Sequence, residues 1–426
     1  MKILPFALEL AKNGGFPVRH LSQSAIKSFA NDQRNFHLRY VRYQFDDTTG
    51  AAFLIGLAVH KALELRWQKQ GESVEFKVVL TNDQVKSEAN YYFRRLVMEY
   101  ELKSLCKYLG KEIESNIREF DHEFFMAEYD GTKRKAREKF WSEEMNGRSE
   151  EDLEVEFQRM SRSLIKFGKK DYESCLDALN TALDNFFAAN LPEGCVVSLE
   201  KSVVGDVMDE NGFSYPIQNK CIVDRVEIAS DGNVDAVEYK TCESFSDEEA
   251  EKGDYEIQAA AEYFATLADT GTAPKRVRFV EILKDTPPLF DPAYPEKEKF
   301  LKADMEAIAA RHGILVDKKA KVADIEAILV AAGHLKYRPG AREVVIDFEK
   351  RPDVLMAFRA LYAGTINMIA LCEQSGIYLP NVSNRNGGDK SWSDFKEFEA
   401  MPRAEAEEKM ADRMTVFQEP EGYEGF

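Results

Sequence analysis

Three charged side chains in one short stretch are of the types that perform hydrolysis. The segment IVDRVEIASDGNVDAVEYKT carries Asp224, Glu238 and Lys240 within two runs of alternating apolar residues. Two converging carboxylates suit a hard divalent cation such as Mg²⁺ or Mn²⁺, which prefers oxygen ligands. A nearby ammonium can orient water or stabilise negative charge that grows on a phosphate. These residue types therefore indicate metal-assisted hydrolysis.

The carboxylates converge only if the hairpin that carries them has the right loop. A three-residue loop, 230–232, with Gly232 in the left-handed conformation, places Asp224 opposite Glu238. A two-residue Asp-Gly turn would instead put the two acids on opposite faces. Because strand side chains alternate, Lys240 lies on the same face as Glu238. On spacing alone, a structural cross-strand ion pair fits these residues about as well as a metal site.

The surrounding pattern predicts the elements that must hold this hairpin. Period-two runs at about 195–245, and further runs at RVRFVEIL and VVIDF, predict strands. Long stretches with helical periodicity cover about 80–190 and 293–335, and EIQAAAEYFATLA predicts a helix directly after the hairpin. We therefore predict a mixed α/β fold, with helices packed on a small sheet.

Composition limits the class of protein. The 426 residues are 44% hydrophobic and 31% charged, which excludes a disordered chain and favours two or three structural units. The formal net charge of −18 disfavours a broad nucleic-acid-binding surface and leaves room only for a local basic channel.

The six scattered cysteines include no CxxC pair, so we expect reduced, mostly buried thiols. No apolar run approaches roughly 18 residues and no signal peptide is visible, so we expect a cytoplasmic protein without a membrane partner.

Several motifs follow one another in an informative order. LSQSAIKSFANDQRNFHLRYV precedes GLAVHKALE, which contains Gly56 and His60, and the hairpin strands VDRVEI and VEYKT precede EIQAAAEYF. In this order and spacing, the motifs resemble those of RecB-type nucleases of the PD-(D/E)XK superfamily, which include CRISPR-associated RecB-like exonucleases and many phage exonucleases. The resemblance covers roughly residues 20–65, 195–285 and 340–400. It implies a restriction-endonuclease-like sheet core with large helical insertions.

The resemblance also implies a role for each matched residue. Asp224 and Glu238 would hold Mg²⁺ or Mn²⁺, and His60 would add a ligand or orient one. Lys240 would assist the attacking water. Glu200, in the strand before the hairpin, matches an acidic position that some members use as a further metal ligand. For His60 and Glu200, a purely structural role on a helix or a strand is the alternative.

The helix after the hairpin departs from the family pattern. Gln258 matches the family's glutamine, which would steady the site or contact the DNA backbone. Tyr263, however, follows it by five residues instead of the usual four, which turns it about 140° around the helix instead of about 40°. Tyr263 is therefore a poor match to the family's tyrosine.

The cysteines of an iron–sulfur cluster, which many relatives carry, are missing. The first cysteine position falls near Asp32, and Ser391 and Ser393 stand where later ones would lie. We expect no iron–sulfur cluster. We expect the C-terminal segment to fold back by packing Trp392 and Phe395 instead.

A basic segment near the N-terminus is a candidate for DNA contact. Arg34, Arg39 and Arg42 alternate with aromatic residues, a composition that can track phosphates and stack bases. Salt bridges within an acidic protein are nearly as good an interpretation.

The sequence predicts five segments and one principal function. The segments are an N-terminal helical segment with the Gly-x-x-x-His motif (1–67), a helical insertion (68–192), the nuclease core (193–292), a second helical insertion (293–337) and a C-terminal helix and tail (338–426). We expect a metal-dependent exonuclease that acts on DNA ends or single strands in recombination, repair or phage DNA metabolism. A recombination or single-strand annealing protein is its expected protein partner. The alternative is a non-catalytic DNA-binding or scaffolding subunit that keeps the nuclease fold.

Overall fold

Helices cover both faces of a central mixed sheet, as the α/β prediction requires. The computed structural model describes residues 2–42, 44–46, 48–69, 76–111, 121–144, 148–168, 170–245, 252–294, 300–317, 319–378 and 414–416. Ser391, Trp392, Ser393 and Phe395, which entered the predictions for the C-terminal segment, lie outside these residues.

The strands of the described residues are mostly short, and only β7 to β10 and β13 exceed three residues. They are β1 His20–Leu21, β2 Gln44–Asp46, β3 Thr49–Gly50, β4 Trp67–Lys69, β5 Phe76–Val78, β6 Ile165–Lys166, β7 Cys195–Gly205, β8 Gln218–Ile228, β9 Val234–Cys242, β10 Arg276–Leu283, β11 Leu289–Phe290, β12 Lys336–Tyr337, β13 Ala341–Asp347 and β14 Met414–Val416.

The helices surround these strands. They are α1 Pro5–Lys12, α2 Gln23–Asn31, α3 Gln33–Phe36, α4 Ala51–Leu65, α5 Asn82–Leu109, α6 His122–Glu144, α7 Glu150–Ser161, α8 Tyr172–Ala189, α9 Lys252–Thr270, α10 Lys302–Arg311, α11 Val322–Ala331 and α12 Pro352–Ser375, with a π-helical turn at His37–Val41. Ser22 caps helix α2, because its hydroxyl accepts a hydrogen bond from the Ala25 amide at 3.2 Å.

The central sheet has six strands in the described part of the chain. Strand β8 pairs antiparallel with both β7 and β9, β9 pairs parallel with β10, and β10 pairs antiparallel with β13. The β8–β9 ladder extends only from Ile228–Val234 to Arg225–Val237. Beyond that point β8 continues along β7 and gains β1 as a parallel neighbour. Strands β8 and β9 therefore separate at the level of Asp224 and Glu238.

The hairpin loop between β8 and β9 has the predicted length. The Ala229 amide donates to the Asn233 carbonyl at 2.8 Å, and the Gly232 amide donates to the Ala229 carbonyl at 2.9 Å. Gly232 has φ +79°, the left-handed conformation that a residue with a Cβ rarely adopts. The three-residue loop sets the register that brings Asp224 level with Glu238.

Two hydrophobic layers hold the sheet. On one face, α2, α9 and α12 pack against residues such as Ala236 and Phe279. On the other face, α4, α5 and α8 pack against Val237, Tyr239 and Val280. Helix α8 lies within the predicted insertion 68–192, yet it covers the sheet directly.

Two groups of helices lie outside these layers. Helices α6 and α7 pack on the C-terminal half of α5 through small clusters of their own. Helices α10 and α11 share a separate core that includes Met305, Ile308, Ile325 and Leu329. Strands β11 and β12 pair where this second unit leaves and rejoins the rest of the chain.

Helix α12 is an exception to the expectation that no apolar stretch approaches the length of a membrane helix. Within the described residues it alone is long and apolar enough to cross a membrane by length and composition, and 50% of its most apolar window is buried in the protein. Core helices of soluble proteins share this property. All six cysteines lie in the described ranges, and none forms a disulfide.

Candidate active site

Asp224 lies where β8 and β9 separate, and its side chain bridges the gap. Its Oδ2 accepts a hydrogen bond from the Tyr239 amide at 2.8 Å, replacing the ladder hydrogen bond that the splayed strands no longer make. Only 6% of Asp224 is exposed. The backbone amide therefore fixes the carboxylate at the opening between the two central strands.

Helix α4 brings His60 to this carboxylate. His60 Nδ1 lies 3.3 Å from Asp224 Oδ2. One turn earlier, a Cβ at Gly56 would approach the side-chain Oγ1 of Thr241 on β9 to 3.3 Å, tighter than nine in ten real Cβ contacts. The glycine therefore permits the close helix–strand approach that puts the imidazole within reach of Asp224.

Glu200 on β7 completes the group from the other side of β8. The pairs Leu199–Arg225 and Lys201–Val223 place Glu200 opposite Asp224. Its Oε1 lies 3.9 Å from His60 Nδ1. Glu200 has φ +42°, a left-handed conformation that costs of order 1 kcal/mol or more for a residue with a side chain. The backbone is thus strained at a residue that carries a carboxylate of the site.

Glu238 and Lys240 form an ion pair beside this group. Lys240 Nζ donates to Glu238 Oε1 at 2.7 Å, and 31% of the Lys240 side chain is exposed. Glu238 Oε2 is buried and has no hydrogen-bond partner. The site therefore offers a half-buried ammonium and a carboxylate oxygen that is still available to a ligand.

The donor set fits a divalent cation. One ligand atom each of His60, Glu200 and Asp224 lies within 4.8 Å of the other two. Burial, and next the charge of Asp224, raise the pKa of Glu200 to about 8 and also raise the pKa of Glu238. Carboxylates that disfavour one another's ionisation are those that a bound cation would stabilise. Carboxylate oxygens suit hard divalent cations, and imidazole is a common ligand of divalent transition metals.

Protons occupy part of this site when no cation is bound. Burial alone would lower the pKa of His60, but the charge and hydrogen bond of Asp224 raise it to about 9. Burial alone would raise the pKa of Asp224, but His60 and the Tyr239 amide hold it below its usual value. A metal ion that takes His60 as a ligand must therefore displace a proton.

These pKa values predict that the metal-free protein loses stability as the pH rises from 6 to 9. Charged His60 stabilises the fold fully below its usual pKa of 6.5, and this contribution is lost as the pH passes about 9. Glu200 ionises near pH 4.5 in the unfolded chain but only near pH 8 in its buried site, so the folded state also loses stability as the pH rises between these two values. Thermal melts in EDTA should fall over this range, and Mg²⁺ or Mn²⁺ should raise the melting temperature more at pH 8.5 than at pH 6.

Two variants test whether His60 and Glu200 cause this pH dependence of stability. His60→Gln and Glu200→Gln remove one titration each, so each should flatten the pH dependence of the EDTA melts. Melts that stay parallel to those of the unmodified protein in both variants would contradict the assignment.

Glu262 lies at the site but was not among the residues predicted from the sequence. On α9, Gln258 Nε2 donates to Glu262 Oε1 at 2.8 Å. Glu262 is 0% exposed, and its Oε2 has no hydrogen-bond partner. Burial raises its pKa well above the usual value, with Glu238 the next cause, which places a further acid beside the Glu238–Lys240 pair. The i, i+4 spacing from Gln258 was the available signal.

The tyrosine that follows belongs to the hydrophobic core. The Tyr263 ring packs edge-on against Phe348, with ring centroids 4.9 Å apart, and against Phe264 at 5.3 Å. The doubtful match of Tyr263 to the family's tyrosine is explained, because Glu262 takes the helix position that faces the site.

The predicted arginines lie on a different element from the acidic group. Arg34 is on α3, Arg39 is in the π-helical turn, and Arg42 follows that turn. Arg42 is exposed and the other two are half-buried. The Arg39 guanidinium lies 5.9 Å from the centre of the Tyr40 ring. Asp32, at the first cysteine position of many relatives, caps α3 by accepting from the Asn35 amide at 2.9 Å.

The fold and the site together define a class. A mixed sheet whose central strands separate around two carboxylates, with a lysine two residues after the second and a helix-borne histidine, is the arrangement of a metal-dependent nuclease. Residues 20–328 match the sequence profile of the PD-(D/E)XK nuclease superfamily, and the chain belongs to that superfamily. No curated protein matches the sequence. Members of this superfamily use divalent metal ions.

Proposed function

We propose that this protein is a Mg²⁺- or Mn²⁺-dependent deoxyribonuclease of the RecB type that degrades DNA from ends or as single strands. The observation that carries the proposal is the meeting of His60, Glu200 and Asp224 beside the Glu238–Lys240 pair. A structural ion pair would need only one acid and one base. Here three buried or half-buried carboxylates crowd together, which favours a metal site over the structural alternative.

The metal would be held by His60, Glu200, Asp224 and Glu238. Bound there, a Mg²⁺ or Mn²⁺ ion would polarise the scissile phosphate and make water a better nucleophile at neutral pH. The chain itself supplies the fixed geometry, because the Tyr239 amide holds Asp224 and so limits how far the ligands move.

Lys240 provides positive charge at the mouth of the site. Burial alone would lower the pKa of its ammonium, but Glu238 raises it above the usual value, so the group stays protonated at neutral pH. A protonated lysine cannot take a proton from water. It can orient a water molecule and stabilise the negative charge that grows on the phosphate during cleavage.

The charge of the protein and its arginines bear on which DNA substrate it cleaves. The net charge of −18 leaves little surface for long duplex, which favours a confined entry for ends or single strands. Arg34, Arg39 and Arg42 would contact the DNA backbone, and Gln258 would steady the site through Glu262. We propose a role in recombination, repair or phage DNA metabolism, together with a single-strand annealing or recombination protein. The second candidate is a non-catalytic DNA-binding subunit.

The proposal is tested with end-labelled linear duplex, single-stranded DNA and closed circles in Mg²⁺, Mn²⁺ or EDTA. We expect metal-dependent loss of the linear substrates and sparing of the circles. Lys240→Ala should abolish cleavage, whereas Lys201→Ala should not, because Lys201 lies beside Glu200 but pairs with Asp269 away from the acidic group. Cleaved circles would indicate an endonuclease. DNA binding without cleavage by the unmodified protein would favour the non-catalytic subunit.

A further inference from the structure

A large aromatic side chain stands exposed on the helix face that carries His60. Phe53 lies in the first turn of α4 and is 51% exposed. Most of this helix is instead buried in the hydrophobic layer that α4, α5 and α8 form on one face of the sheet. His60 follows Phe53 by seven positions, so the two side chains leave the helix within about 20° of the same direction. No other aromatic ring of the described residues packs against Phe53.

The contacts of α4 place this ring relative to the site. The His60 ring lies beside Tyr239, with centroids 6.0 Å apart, and Gly56 sits on Thr241, the residue after Lys240. The helix therefore passes along β9 in the direction of Lys240 as it runs back from His60 to Phe53. A rise of 1.5 Å per residue puts Phe53 about 10 Å from His60 along the helix axis.

We propose that Phe53 is a specificity-determining residue that stacks on a nucleobase of the strand whose phosphate occupies the metal site. The inference rests on the nuclease function proposed above. A separation of about 10 Å corresponds to at most about three nucleotides along a strand. The bare ring offers no hydrogen bond, so it accepts any base through its face.

Stacking on Phe53 requires an unpaired base. The bases of an intact duplex are stacked on one another and expose only their edges in the grooves. A single strand or a frayed end offers a free base face. Phe53 would therefore favour single strands and ends at the step of binding, before any bond is cleaved.

The surroundings of Phe53 suit a nucleotide better than a protein partner. Strand β6 pairs the exposed Lys166 with Gly50, three residues before Phe53, so a basic residue lies on the strand that adjoins the start of α4. Protein interfaces use contiguous apolar patches of several hundred Å². On α4, the only exposed residue next to Phe53 is the small Ala52, so this part of the helix does not itself form a large apolar patch.

The test uses the full-length protein in EDTA, where no cleavage occurs, and single strands with 2-aminopurine at each of the four positions nearest either end. We expect binding to quench the fluorescence at one or two positions, in the unmodified protein and in Phe53→Trp. Phe53→Ala and Phe53→Leu should lose the quench and bind single strands about tenfold more weakly, the effect of one stacked base. Affinity for blunt duplex should change much less.

Phe124→Ala is the matched control, because Phe124 is 55% exposed on α6. It should leave both quench and affinity unchanged. A quench that survives in Phe53→Leu, or an equal loss in Phe124→Ala, would overturn the stacking role. Because leucine keeps an apolar side chain, Phe53→Leu also serves if the alanine variant fails to fold. If the unmodified protein does not cleave DNA but the quench still depends on Phe53, the nuclease proposal fails and the stacking proposal stands.

Discussion

Asp224→Asn is expected to lower metal-dependent DNA cleavage by at least about 10³-fold. Metal ions contribute several kcal/mol to such reactions, and each 1.4 kcal/mol is a factor of ten. Asparagine keeps the shape of the side chain and the acceptor for the Tyr239 amide. It removes the charge and one oxygen from the centre of the donor set, between His60 and Glu200. Cleavage of linear DNA measures the loss of activity. Calorimetric titration with Mn²⁺ measures the accompanying loss of metal affinity.

The fold should survive this substitution. The neutral amide would remove repulsion from Glu200 and Glu238 at the same time as it loses the pair with His60, so we expect thermal melts in EDTA to change little. Asp291→Asn is the control, because Asp291 is also buried but lies in the β11–β12 region and caps the Ala293 amide at 2.8 Å. Activity within tenfold of the unmodified protein in Asp224→Asn would show that Asp224 is not a metal ligand.

Glu227→Ala is expected to have the largest effect on stability, about 3–5 kcal/mol less free energy of unfolding. Glu227 is 0% exposed and lies between two buried guanidinium groups. Arg225 Nη2 lies 3.0 Å from its Oε2, and Arg278 donates to its Oε1. Without the carboxylate, both cations lose a partner inside the protein. Urea denaturation in EDTA measures the change.

The contribution of Glu227 is to stability and not to chemistry. Glu343→Gln is the control, because Glu343 pairs with the same Arg278 but its side chain is 18% exposed, so the loss should be clearly smaller. Below its lowered melting temperature, Glu227→Ala should cleave DNA at nearly the normal rate, since Glu227 lies three residues beyond Asp224, toward the hairpin loop. Equal destabilisation by both variants would argue against a buried network centred on Glu227.

Much of the core was predictable because local signals there agree with the fold. Alternating residues marked β7, β8 and β9, and a left-handed Gly232 fixed the hairpin length. That length alone brings Asp224 level with Glu238, and period two then places Lys240 beside Glu238. It was harder to predict which helices pack on the sheet. Helix α8 was assigned to an insertion, because helical periodicity shows that a helix exists but not which surface it covers.

The residues that escaped prediction depend on tertiary burial. Glu262 sits in an alanine-rich helix, where a glutamate is ordinarily placed toward solvent. Only the packing of α9 on the sheet shows that it points inward. Similarly, Arg225 and Glu227 alternate in a way typical of a solvated strand face, yet helices cover that face. The left-handed backbone of Glu200 has no sequence signal, since glycine or asparagine would be expected there.

The pairing of β11 with β12 has a consequence for how such a protein changes over evolutionary time. The α10–α11 unit leaves after β10 and returns before β13 across one short two-stranded ribbon, and it has a core of its own. A segment attached in this way can be gained, lost or exchanged in a single genetic event. The β10–β13 register, and with it the sheet behind the candidate metal ligands, would be inherited unchanged.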